Sequence, residues 1–138
     1  MPLLEGRIAI VTGAGRGLGR EEALALAAEG ATVIVNDIGA SLAGDGGDRS
    51  PADEVVRDIV KAGGKAVANY EDISSWDGAK RTIDQAYDAY GKLDILVNNA
   101  GVLRDRMSFN MSEEEFDLVM KVHCKGPFAM CRHAAARW

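Results

Sequence analysis

The chain has 138 residues and a net charge of −5, with acids and bases mixed along its length. One domain is the natural reading of that length, and the acidic balance argues against nucleic acid or an anionic membrane as the main partner. No apolar run approaches the ~20 residues that span a bilayer, and the start Met1-Pro2-Leu3-Leu4-Glu5-Gly6-Arg7 lacks the regions of a signal peptide, so the expected compartment is the cytoplasm.

The pattern then alternates strand and helix. Ile8 to Thr12 reads as a short buried strand, and Gly17 to Glu29 as a helix with Ala23, Leu26, Ala27 and Gly30 on one face. Thr32 to Asp37 is a second, valine-rich strand. A loop from Ile38 to Arg49 carries Gly39, Gly44, Gly46 and Gly47; it either closes over a ligand or is simply mobile. Ser50-Pro51 signals the next helix start, serine as cap and proline in the first turn. Val55, Val56, Ile59 and Val60 form that helix's apolar stripe and Gly63-Gly64 stops it. Lys65 to Tyr70 is the third strand. A helix after Ser74-Ser75 turns Ile83, Ala86, Tyr87 and Tyr90 inward, and Leu93 to Asn98 is the fourth strand. Ser112 and Glu115 form a capping box for a last helix, with Met111 placed to staple onto Phe116. Cys124 and Cys131 lie on that helix about 10 Å apart, too far to bridge each other, and are expected as reduced, buried thiols. His133 is expected at the surface.

Alternating elements of this length predict an α/β fold, a doubly wound parallel sheet of the Rossmann type with right-handed crossovers. Its strand order is 3-2-1-4, with later strands missing. The dinucleotide-binding portion of a single domain then fills residues 1–138. The fourth strand crosses to the far side of the first, and a dinucleotide lies at that reversal.

The chemistry-bearing residues sit at the strand exits. After the first strand comes Thr12-Gly13-Ala14-Gly15-Arg16-Gly17-Leu18-Gly19. Gly13 allows a tight turn, Gly17 lets backbone approach a pyrophosphate, and Gly19 lets the helix pack close to the sheet. The helix N-terminus offers unpaired N–H groups and a positive dipole end to phosphate. Strict G-x-G-x-x-G fails, since residue 18 is Leu18, and no lysine follows as a nucleotide-triphosphatase loop requires. Asp37, 18 residues past Gly19, is placed to accept from both ribose hydroxyls. It would repel a 2′-phosphate, which favours NAD over NADP; Arg16 is the competing signal, because an arginine there can accept that phosphate. Asp72 can meet the adenine amino group while Ile73 covers the ring; the bland alternative is a simple turn. Asn99-Ala100-Gly101 ends the fourth strand with small residues that let the cofactor's ribose and nicotinamide pass, and the amides of Asn98 and Asn99 can tie neighbouring strands. No metal site is expected.

These motifs together resemble the N-terminal half of the short-chain dehydrogenase/reductase family, over essentially the whole chain. More narrowly they resemble its (3R)-hydroxyacyl-CoA dehydrogenase type, on Val35-Asn36-Asp37-Ile38-Gly39, Gly63 to Tyr70 and Leu103-Arg104-Asp105-Arg106. The resemblance implies a Rossmann oxidoreductase that moves hydride between NAD and a secondary alcohol or ketone, 3-hydroxyacyl-CoA and 3-oxoacyl substrates included. It also implies a homo-oligomer, a tetramer or a dimer, with the last helix at an interface. The alternative is a truncated NAD(H)-binding module without catalysis.

The family works with Asn, Ser, Tyr and Lys, the tyrosine as general acid/base. No Tyr-x-x-x-Lys occurs here: Tyr70, Tyr87 and Tyr90 are followed at that spacing by Ser74, Gly91 and Asp94. By resemblance the Ser, Tyr and Lys lie beyond Trp138. The family's asparagine position holds His123. A backbone role survives the exchange, because Pro127 has no N–H to give the His123 carbonyl. That carbonyl is then left to hold a water in a proton relay, and the helix should bend there; the competing reading is a core or interface histidine beside a kink. Arg104 and Arg106 either attract an acyl-CoA phosphate or are solvated and salt-bridged.

Overall fold

The computed structural model describes residues 1–39 and 49–138. Most of the expected glycine loop, residues 40–48, lies outside them. Four parallel strands form one sheet in the order β3-β2-β1-β4. They are β1 (Ile8–Thr12), β2 (Thr32–Asn36), β3 (Lys65–Asn69) and β4 (Ile95–Val97). The helices are α1 (Gly17–Ala28), α2 (Ser50–Lys61), α3 (Trp76–Tyr90), α4 (Glu113–Met120) and α5 (Gly126–Ala135). The expected topology is the observed one.

Alternation along β1 and β2 divides the core between the two faces of the sheet. Ala9, Val11, Val33 and Val35 meet Ala23 and Ala27 of α1 and Ala52, Val55 and Ile59 of α2. Ile8, Ile10 and Ile34 meet Ala79, Ile83 and Ala86 of α3 and Ala129, Met130 and Ala134 of α5. All five β1 residues are buried, as a strand covered on both faces must be.

The differences from the sequence reading are local. β4 is three residues long, not the six from Leu93 to Asn98. The Asp94 side chain accepts from the Ile8 N–H at 2.8 Å, outside the ladder, and past Val97 the backbone turns to meet Thr12. Arg49, not Ser50, occupies the cap position of α2. Val60 of the expected α2 stripe is exposed. The capping box at Ser112 and Glu115 forms as expected.

The last helix loses its α-helical pairing just before Pro127. A π turn over Lys121–Lys125 joins α4 to α5, and the Gly126 N–H donates to the Lys121 carbonyl, five residues back. A wider turn accommodates a proline that cannot donate, because it inserts one residue into the ladder. That insertion shifts the helix face. His133 is buried, correcting its expected place at the surface, and its ring meets Trp76 edge-on at 5.0 Å between centroids. Cys124 and Cys131 are both exposed thiols, not the buried ones expected.

Candidate functional site

Four strand exits converge on a cleft of about 390 Å³ at the carboxyl ends of the strands, where open α/β sheets bind their ligands. Gly13, Arg16 and Gly17 line it from the first exit, Asp37 from the second and Asp72 from the third. Ile73, Asn99, Ala100 and Gly101 line its walls, whereas Thr12, Leu18 and Gly19 of the expected set do not. A larger cleft, about 490 Å³, lies at the opposite end, where Thr32 and Lys65 begin β2 and β3.

The glycine turn is built by close approach. Gly13 has φ +63°, and a Cβ there would stand 2.7 Å from the Ala100 Cα. Gly17 has φ +57° and faces open space, so backbone alone borders the cleft there. Gly19 is buried away from the cleft; a Cβ on it would stand 2.4 Å from the Gly13 carbonyl oxygen. It serves the packing of α1 rather than a ligand contact. The Leu18 side chain is exposed and does not line the cleft.

Thr12 has a structural duty. Its hydroxyl oxygen accepts from the Asn99 and Ala100 N–H groups, each at 3.1 Å. The Asn99 side-chain amide donates to the Thr12 and Gly13 carbonyls, each at 3.1 Å. Together they stitch the β4 exit to the glycine turn, as expected for Asn99. Asn98 instead donates to the Cys131 thiol sulfur at 3.3 Å.

Asp37 is the hinge of the cradle. Its Oδ2 accepts from the Gly15 N–H at 2.9 Å and its Oδ1 from the Gly39 N–H at 2.7 Å. Each carboxylate oxygen keeps a lone pair for a further donor. A Cβ on Gly15 would stand 2.7 Å from Asp37 Oδ2 and 2.6 Å from the Pro51 ring, so that glycine is required by the acid beside it. At the third exit, Asp72 Oδ1 accepts from both the N–H (2.9 Å) and the hydroxyl (2.6 Å) of Ser74. Oδ2 is left toward the cleft, 4.0 Å from the Lys121 ammonium.

His123 does not enter the cleft. Its ring reaches back to Val102 just past β4, with Nε2 2.8 Å from the Val102 carbonyl and 3.0 Å from its N–H. A Cβ on Gly101 would stand 2.7 Å from the His123 ring. Arg106 pairs with Glu115 at 2.9 Å, the salt-bridged alternative, and the Arg104 guanidinium donates to the Leu103 carbonyl at 2.6 Å. The sequence reading missed Ile38, Ser74, Val102, Leu103 and Val122, which also line the cleft. Ser74 carried a usable signal: a serine two residues after an aspartate at a strand exit closes an Asx turn.

The sequence pattern of the short chain dehydrogenase family matches residues 7–138. The chain belongs to that family. Peroxisomal multifunctional enzyme type 2 of Drosophila melanogaster is 54% identical over 131 residues, which are 95% of this chain and 21% of that protein. A hydroxyacyl-CoA dehydrogenase of Mycobacterium tuberculosis is 51% identical over 135 residues, 98% of this chain and 41% of that protein. The chain thus spans less than half the length of both relatives. Among solved structures, a short chain dehydrogenase from Mycobacterium avium superposes with a TM-score of 0.90 at 56% identity, covering 99% of this chain and 47% of that one. A metagenomic short-chain oxidoreductase in complex with NADP superposes with a TM-score of 0.86 at 34% identity, over 96% of this chain and 57% of that one.

Proposed function

We propose that residues 1–138 are the cofactor-binding portion of a longer NAD-dependent oxidoreductase. It would move hydride between nicotinamide and a secondary alcohol or ketone, with 3-hydroxyacyl-CoA and 3-oxoacyl-CoA as the substrate class. One observation carries this reading: the Asp37 carboxylate is held by the Gly15 N–H at the mouth of the glycine turn, which puts an acid for ribose beside a cradle for pyrophosphate.

The residues present fit that cofactor. The open backbone at Gly17, the first-turn N–H groups of α1 and the Leu18 backbone face the pyrophosphate. Asp37 accepts from the ribose hydroxyls, and its charge disfavours a 2′-phosphate. Arg16 sits at the rim beside it. Asp72 Oδ2 takes the adenine amino group against Ile73, and Asn99, Ala100 and Gly101 leave room for the nicotinamide end. When bound, the nicotinamide ring gives or accepts the hydride. The proton moves through a tyrosine and lysine that family resemblance puts beyond Trp138. The His123 carbonyl, to which Pro127 has no N–H to give, would hold the water of that relay.

The substrate class rests on relatives named hydroxyacyl-CoA dehydrogenase and multifunctional enzyme. Assembly as a dimer or tetramer is supported by Phe116, Met120 and Phe128, large apolar side chains left exposed along the last helix. A cytoplasmic location is the matching proposal, although several relatives carry peroxisomal names. The alternative reading is an NAD(H)-binding module without catalysis.

The test is to give the complete protein NAD with 3-hydroxyacyl-CoA thioesters and simple secondary alcohols, and to follow nicotinamide reduction. Reduction is expected with the thioesters. NAD binding without any reduction supports the module, and no NAD binding overturns both readings.

A further inference from the structure

Beneath the cleft, β2 and β3 carry a pair of buried amides in register, Asn36 opposite Asn69. Each is the last residue of its strand, and each precedes a carboxylate of the cleft: Asp37 by one residue, Asp72 by three. The Asn36 amide nitrogen donates to Asn69 Oδ1 at 2.7 Å and to the Glu71 carbonyl at 3.0 Å. Asn69 Oδ1 also accepts from the Glu71 N–H at 3.0 Å. The Asn69 nitrogen donates to Gln85 on α3 at 2.7 Å, and Gln85 returns a bond to the Ala68 carbonyl at 3.2 Å. Between the exits, the Asp37 N–H donates to the Asn69 carbonyl at 3.0 Å.

Both backbone groups of Glu71 are therefore held by buried side chains at the ends of the two strands. A buried network with every member satisfied is rigid, and the loss of one member leaves the others unpaired. The next residue is Asp72, whose carbonyl is backed closely by Gly78: a Cβ there would stand 2.2 Å from it. Hydrophobic strands need no amides at these two positions for packing. A valine would extend β2 as well.

We propose that Asn36 and Asn69 are positioning residues for the adenine end of the cofactor, and that they set Asp72 at a fixed reach from Asp37. This rests on the cofactor reading above. Neither amide touches the cofactor; they act by holding the Glu71 backbone, so that Asp72 Oδ2, which among the described residues faces only the Lys121 ammonium at 4.0 Å, is aimed before the nucleotide arrives. Preorganisation of this kind shows as selectivity for the group the aimed atom meets.

The experiment compares NAD with nicotinamide hypoxanthine dinucleotide, in which a carbonyl replaces the exocyclic amino group of adenine. Dissociation constants are measured on the complete protein, unmodified and as Asn69→Ala. A hydrogen bond to a charged acceptor should favour NAD by about tenfold in the unmodified protein. In Asn69→Ala the ratio should fall to about threefold or below, with kcat at saturating NAD nearly unchanged. Asn36→Ala removes the same bond from the other strand and should act alike, which covers the case that one variant does not fold. Ile83→Val, a core truncation on α3, lowers the melting temperature without touching the amides and should keep the ratio. The proposal is overturned if the amide variants keep the unmodified ratio, or if they weaken both dinucleotides equally. If the unmodified protein binds both dinucleotides equally, Asp72 does not read adenine and the proposal also falls. If it binds neither, the cofactor reading itself has failed.

Discussion

The Nε2 atom of His123 lies within hydrogen-bond distance of both the carbonyl and the N–H of Val102, at 2.8 and 3.0 Å. One ring nitrogen thus meets a donor and an acceptor of the same residue, and the tautomer decides which bond is made. The contact joins the π turn to the strip Asn99–Gly101, where the nicotinamide end is proposed to lie.

An asparagine at 123 retains both an N–H and a C=O for Val102, and the backbone carbonyl is unchanged. His123→Asn should therefore leave turnover of the complete enzyme within about threefold. Pro127→Ala restores an N–H that can capture the His123 carbonyl and should lower kcat by about ten- to a thousandfold, within the reach of acid–base catalysis. NAD affinity should be nearly unchanged in both. Steady-state kinetics with varied NAD separate the two effects. Abolition of activity by His123→Asn, with no effect of Pro127→Ala, would show that the side chain matters and not the carbonyl.

Two glycines of the turn should fail in different ways. Gly19→Ala drives a methyl group into Asn99 and the Gly13 carbonyl, and overpacking of this kind costs about 1–3 kcal/mol. Gly17→Ala meets open space, and its left-handed backbone costs roughly 1 kcal/mol. The second variant should be the more stable in denaturant unfolding, yet should lose at least as much NAD affinity, because its methyl group would border the proposed pyrophosphate site.

Acid should loosen β4. The Ile8 N–H first, then Lys92 and Arg7, hold the Asp94 carboxyl below the usual carboxylate range. A carboxyl depressed in the folded state contributes stability above its unfolded pKa and loses it as pH falls through the folded value. Asp94→Ala should therefore cost about 1–2 kcal/mol near pH 7. The difference should vanish at a pH below the depressed value. Unfolding curves at several pH values check this; a gap independent of pH would contradict it.

As an isolated chain the 138 residues should self-associate. β4 is the edge of the sheet in the order β3-β2-β1-β4, its three apolar residues are only partly covered, and Phe109, Phe116 and Phe128 stand exposed. Edges of that kind pair with other chains. Light scattering during unfolding and refolding is the measurement, and a monomer that unfolds cooperatively would count against the expectation.

The readable part of this molecule is the part whose signals are local. The strand-turn-helix around Gly13 to Gly19, the alternation of elements and the Ser112–Glu115 box depend on near neighbours, and each forms as read. The misread residues depend on distant partners. His133 looked solvated by type, although it lies in helical phase with Ala129, Met130 and Ala134, all buried against the sheet. The exposed Cys131 follows from the same rotation, since a π turn upstream shifts the phase by one residue, and Cys124 lies within that turn. Thr12 opens the glycine motif and by type suits a cofactor contact, yet its hydroxyl is occupied by the β4 exit. The pairing of Asn36 with Asn69 is not legible in the sequence, because a buried amide pair is visible only once two strands are in register.

The central claim is that Asp37 makes this cleft an NAD site, and paired titrations of the complete protein with NAD and NADP test it most directly. NAD should bind at least about tenfold more tightly, a charge-assisted hydrogen bond being worth that much. Asp37→Ala should narrow the gap by weakening NAD and relieving NADP. Equal affinity for the two, a preference for NADP, or binding of neither by the unmodified protein would contradict the account.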